Sequence, residues 1–183
     1  MGFGIGLSAL LALIDAEKHQ QKIYYGAIEL SPLEEPLICS LDYCEQLQRK
    51  GLQKTFEQLR SSEWGKEMII APYFSFKKMK ISLLDHTPPD LINLIYYGAF
   101  GPNAQPGLWQ GEVLKKLSNA LSGDGILVAY CPKGKIKRAM QGARFTVGKM
   151  QGPPGKREMI RAIRTDNKAT KPGLPYGPPH SLR

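Results

Sequence analysis

At 183 residues, 42% of them hydrophobic, the chain is long enough for one domain with a sizeable core. Its longest early apolar run, Leu7 to Ile14, is interrupted by Ser8 and is too short to cross a bilayer, and no basic stretch precedes it as in an export signal. The net charge of +9 is uneven: residues 1–129 carry 12 Lys/Arg against 14 Asp/Glu, and residues 130–183 carry 13 against 2. A basic end of this kind suits a phosphate-rich partner, or is simply a solvated face. The three cysteines, Cys39, Cys44 and Cys131, lack metal-ligand spacing, so no metal is expected. Their odd number, in a chain without an export signal, reads as reduced thiols of a cytoplasmic protein.

In chain order, Met1-Gly2-Phe3-Gly4-Ile5-Gly6 is a glycine-spaced loop that runs into a helix from about Ser8 to Gln20. Glycines let the backbone turn tightly and approach a ligand, which then meets the free N–H groups of the helix N-terminus. Such a loop normally follows a buried strand, and only Met1 precedes it, so the first strand of the sheet is expected to be missing. The β-rich Ile23 to Glu29 predicts a strand. Pro32 opens a helical stretch to about Leu47, and Leu52 to Ser61 predicts another helix. Met68 to Ala71 and Lys78 to Leu84 read as strands joined through the segment 73–76. Leu91 to Tyr97, nearly all apolar, predicts a strand buried on both faces.

Further on, Trp109 to Leu121 is an amphipathic helix, and Gly123-Asp124-Gly125 turns into a strand over Ile126 to Tyr130. Gly134 to Gln141 is a short basic helix. Phe145 to Met150 and Glu158 to Ile163 predict a closing antiparallel pair around Gly152-Pro153-Pro154-Gly155. The last stretch, 165–183, is Pro-rich and poor in apolar residues, and is expected to be a disordered basic tail behind a domain over 1–164. Strands alternating with helices imply right-handed crossovers, a mostly parallel sheet, and a ligand at the carboxyl ends of the strands.

Gly4-Ile5-Gly6-Leu7-Ser8-Ala9 fits G-x-G-x-x-A, a pattern shared by several nucleotide cofactors. Glu29 ends the next strand, where a carboxylate can accept hydrogen bonds from ribose hydroxyls. These residues leave two cofactors open: a nicotinamide dinucleotide and S-adenosylmethionine. Asp85, at the end of its strand, is placed either to reach the adenine side of such a cofactor or as a solvated turn residue.

Three further stretches narrow the choice: Tyr96-Tyr97-Gly98-Ala99-Phe100-Gly101-Pro102, continuing to Trp109; Tyr130-Cys131-Pro132-Lys133-Gly134 with Lys137-Arg138; and Gly155-Lys156-Arg157-Glu158-Met159. With the glycine loop, they resemble in order the GFGTGLN, DAFxPxxxPxxW, TYCAKGxVRRxL and GPPGKREM segments of the MnmC-like methyltransferases, a family that includes the stand-alone MnmD enzymes. The resemblance covers about residues 2–163. It implies an α/β, Rossmann-like class I methyltransferase sheet that uses S-adenosylmethionine to methylate the aminomethyl group of a wobble uridine in tRNA. It further implies cofactor contacts from Gly2, Gly4, Gly6 and Glu29. Lys133, Lys137, Arg138, Lys156 and Arg157 would meet tRNA phosphates, and Phe100 and Pro102 would either shape a base-stacking pocket or serve as ordinary loop packing.

The chain departs from that pattern at Ile5 and Ser8, in place of Thr and Asn, and at Gly98, where the family carries the Asp of its DAF segment. An amine must be neutral to attack a methyl sulfonium, so a carboxylate beside it assists by taking its proton. Losing a general base costs roughly 10²–10⁴-fold, whereas proximity and orientation supply ~7–11 kcal/mol, so weak transfer survives on these figures. The alternatives are a non-catalytic remnant that binds RNA or cofactor and, on the glycine loop alone, an NAD-dependent dehydrogenase.

Overall fold

The structure, a computed structural model, describes residues 2–33, 43–89, 91–130, 134–152 and 158–165. Helix α1 (Leu7–His19) buries Ala9, Leu10, Leu13 and Ala16, the apolar stripe that its helical spacing predicts. It feeds β1 (Ile23–Glu29). A short helix α2 (Tyr43–Gln46) and a 3-10 turn at Lys50–Leu52 lead to α3 (Gln53–Ser61). Next come β2 (Glu67–Ala71), β3 (Phe74–Lys80) and β4 (Ile92–Tyr97). A second 3-10 turn at Pro106–Trp109 precedes α4 (Gly111–Ala120), β5 (Leu121–Ala129), α5 (Gly134–Gly142), β6 (Phe145–Gln151) and β7 (Glu158–Arg164).

Two sheets result. One has the order β1-β3-β2, the other β4-β5-β7-β6. The pairs β1–β3 and β4–β5 are parallel, while β2–β3, β5–β7 and β6–β7 are antiparallel, so the expectation of a mostly parallel sheet is corrected. Short connections such as Pro72-Tyr73 allow only antiparallel neighbours. Among the described residues no strand ladder joins the two sheets, and the break falls between β1 and β4. Their C-terminal ends meet at the glycine loop: Gly2 donates its N–H to Ile28 O at 2.8 Å, and a Cβ on Gly2 would lie 3.8 Å from Gly98 O.

Three strand expectations change. β5 begins at Leu121 rather than Ile126, so the expected Gly123-Asp124-Gly125 turn lies inside the strand, opposite a register shift between Ile92 and Leu94 of β4. The third strand covers Phe74–Lys80 rather than 78–84, because alternate residues Phe74, Phe76 and Lys78 point inward in register with β1, and Ile81 onward turns away. The inward lysine disguised that alternation. The β4 strand is not buried on both faces: Ile95 and Tyr97 are buried, while Leu94 and Tyr96 are exposed. Only one face of β4, that of Ile95 and Tyr97, packs on the core, so its burial alternates. Of the helix expected from Pro32 to about Leu47, Pro32 and Leu33 are not helical and Tyr43–Gln46 is; residues 34–42, the Gly152–Gly155 turn beyond Gly152 and the tail from 166 lie outside the described residues.

Side chains join the sheets. Ile28 of β1 packs against the core of the second sheet, which is built on Tyr97, Trp109, Leu114, Leu117, Leu127 and Ile160. Burial, and then Tyr96 of the second sheet, push the Tyr25 hydroxyl up to about 12.

Candidate functional site

The site is assembled at the C-terminal ends of β1, β3 and β4. The glycine loop forms its floor. Gly2, Gly4 and Gly6 all have positive φ, at 79°, 52° and 85°, which explains why glycines recur there. A Cβ on Gly4 would meet nothing within 4 Å, so that side of the loop is open, and α1 has no side-chain cap on its N-terminus. Open amides beside open space fit an anionic or polar ligand.

Glu29 braces this loop from β1. One carboxylate oxygen accepts N–H bonds from Phe3 at 3.1 Å and Gly4 at 3.3 Å, and the other accepts from Ser31 at 3.1 Å. A carboxylate offers about four acceptor positions, so the side chain holds the loop and retains capacity for a hydroxyl.

Sequence reasoning missed what lies beneath the loop. The Phe3 ring plugs into the first sheet, edge-on to Trp64 at 6.3 Å and tilted on Phe76 at 5.6 Å. The buried Lys78 places its ammonium 5.3 Å from the Phe3 ring and 4.6 Å from the Trp64 ring, and donates to Arg60 O. A lysine flanked by alternating aromatic residues, Phe74 and Phe76, was the one available signal.

The opposite lip is the segment 98–109. Tyr97 donates its hydroxyl proton to Leu108 O at 2.5 Å and meets the Trp109 ring edge-on at 5.1 Å. Burial pushes that phenol far above its ordinary value, which keeps it a donor. Trp109 Nε1–H donates to Phe100 O at 2.7 Å, and Phe100 N–H donates to the side-chain oxygen of Gln105 at 3.0 Å. The Phe100 backbone is therefore fastened on both sides while the residue stands 72% exposed. Pro102 is half-buried beside it, and Gly98 presents no side chain at the strand end. Gln105 is a second residue that sequence reasoning did not single out.

Asp85 lies exposed in the turn after β3, at the same end of the sheet, because Ile81 N–H donates to Glu29 O at 3.1 Å. Lys137 and Arg138 sit on α5, half-buried and exposed respectively. Lys133, Lys156 and Arg157 lie outside the described residues. Among the described residues no cluster of His, Cys, Asp or Glu could hold a metal, and no helix is long and apolar enough to cross a membrane. Cys44 is buried and forms no disulfide among the described residues.

The model of one protein family matches residues 42–165: the S-adenosyl-L-methionine-dependent methyltransferases of the Methyltransf_30 type. The chain belongs to this family. The methyltransferase is 24% identical over 174 residues to the tRNA 5-methylaminomethyl-2-thiouridine biosynthesis bifunctional protein MnmC of Campylobacter hominis, covering 91% of this chain and 25% of that protein. It is 22% identical over 202 residues to the MnmC of Actinobacillus pleuropneumoniae, covering 96% of this chain and 28% of that protein. It thus spans about a quarter of these curated relatives. Among solved structures, MnmC2 from Aquifex aeolicus superposes with a TM-score of 0.68 at 19% identity, over 95% of this chain and 54% of that one. That likeness shows a Rossmann-like class I fold, and the family implies S-adenosylmethionine as cofactor.

Proposed function

We propose that the methyltransferase modifies tRNA at the aminomethyl group of 5-aminomethyl-2-thiouridine, slowly for want of a carboxylate at residue 98. The observation behind this reading is the meeting of the two lips: the glycine loop and the strand end before Phe100 converge at Gly2 and Gly98. The names of the MnmC relatives point to this tRNA modification.

When bound, S-adenosylmethionine supplies a methyl group on a sulfonium centre. Gly2, Gly4, Gly6 and Glu29 would hold it, with Asp85 toward its adenine. Phe100, its ring exposed and its backbone fixed on both sides, would stack on the target base, with Pro102 beside it. Gly98 has no group to take the amine proton, so the proton passes to solvent and the substrate must arrive neutral. Lys137 and Arg138, with Lys133, Lys156 and Arg157, would meet tRNA phosphates, and the cytoplasm would be the place of work.

The absent carboxylate also favours a second reading, a remnant that binds cofactor and RNA without turnover. Single-turnover methylation of tRNA carrying the unmethylated aminomethyl uridine separates the two. Measurable transfer from labelled cofactor is expected. Binding of both partners with no transfer supports the remnant, and binding of NAD in place of S-adenosylmethionine overturns both readings.

A further inference from the structure

We propose that Lys116 is a positioning residue that fixes the adenosine-facing wall of the cofactor cleft. The inference rests on the cofactor reading above and adds a residue outside all the motifs. Lys116 lies on α4, a helix of the second sheet. Its ammonium donates to three backbone carbonyls of the turn after β3: Leu83 at 3.3 Å, Leu84 at 2.8 Å and His86 at 3.2 Å. An ammonium has three protons, and three carbonyls converge on it.

The turn that it grips is locked from within as well. Asp85 and His86 N–H groups donate to Ser82 O at 3.2 and 2.9 Å, and Leu84 N–H donates to Ser82 Oγ at 3.1 Å. Leu83 is buried in the core of the second sheet. Asp85 therefore sits between clamped residues with its carboxylate exposed. The turn belongs to the first sheet through β3 and the Ile81–Glu29 hydrogen bond, while the clamp belongs to the second. No strand ladder joins β1 to β4 among the described residues. Lys116 thus ties the Glu29–Asp85 wall to the half that carries Gly98 and Phe100. Charge-assisted bonds of this kind are about twice as strong as neutral ones.

The test compares the native chain with Lys116→Met and Lys116→Arg, using Lys115→Met as the neighbouring surface control. Calorimetry measures affinity for S-adenosylhomocysteine, adenosine and tRNA. Lys116→Met is expected to weaken S-adenosylhomocysteine and adenosine by the same factor, about tenfold for the loss of a charged hydrogen-bonding group. It should leave tRNA affinity unchanged, and Lys116→Arg should recover most of the loss. A proton titration of His86 reports the clamp directly. Burial, then Lys116, then Lys77 hold its imidazole below the ordinary value, and Lys116→Met should move it up.

Unchanged nucleoside affinity in Lys116→Met, or an equal loss of tRNA affinity, overturns the proposal and leaves the cofactor reading intact. Failure of the native chain to bind either nucleoside overturns the cofactor reading itself. Should Lys116→Met not fold, Lys116→Gln carries the same expectation for the nucleosides.

Discussion

The two lips of the cleft have kept different things. The glycine lip has its chemistry: three left-handed glycines, an uncapped helix N-terminus and a carboxylate bonded to Phe3, Gly4 and Ser31. The Gly98 lip has its carpentry: Tyr97, Gln105 and Trp109 hold the segment in place around a strand end with no functional group. Scaffold and reactive group are separable. The hydrogen bonds that shape the second lip involve none of the atoms that the family's aspartate would supply, so the shape survives its absence.

Restoring that group is the strongest way to break the contrast. The backbone at Gly98 is outside the left-handed region, so aspartate there meets no left-handed backbone penalty. Gly98→Asp should raise single-turnover methylation by about 100-fold, the lower range for a general base, with cofactor affinity little changed. Equal rates in both forms would show that residue 98 is not where the proton leaves.

Damage to the glycine lip should be the next largest effect. A Cβ on Gly6 would lie 3.0 Å from the Phe3 ring at a φ of 85°. Gly6→Ala should destabilise by about 2 kcal/mol and weaken S-adenosylhomocysteine binding, checked by denaturant melts and calorimetry. Trp109→Phe removes the N–H that holds Phe100 O. It should cost about 1 kcal/mol in the same melts and slow tRNA turnover without affecting cofactor binding.

The smallest effect is one of pH. Burial and the nearby lysines hold His86 below 6.5, so the unfolded chain binds more protons than the folded one in the window between the two values. Stability should rise with pH through that window and level off above 6.5. His86→Asn should flatten that slope.

Much of this was legible in the sequence. The β-rich run Ile23–Glu29 and the glycine spacing place both halves of the first lip, and β1 has the bounds that its composition predicts. The helix at Leu7–His19 and the pair β6–β7 were likewise legible from local pattern. What escaped depended on tertiary partners. Lys78 broke the apolar alternation of β3 because its charge is met by Arg60 O and two aromatic rings from elsewhere in the chain. The one-sided burial of β4 follows from which of its faces the core covers, which no window of residues encodes. Gln105 and Lys116 act through backbone carbonyls and amides, groups that every residue shares and that leave no signature in a motif.

The break between β1 and β4 also bears on how the molecule opens. Among the described residues, all strand pairings fall within residues 23–80 or within residues 92–164. Each sheet is thus contiguous in sequence, the arrangement expected of a separate cooperative unit in local unfolding. The cleft between them can widen without breaking a single ladder, at the expense of side-chain contacts such as Ile28 and Leu83. A ligand that touches both lips then acts as a splint. It favours the closed pairing of the units by its own binding free energy, so the resistance of the whole chain to melting becomes a function of ligand concentration.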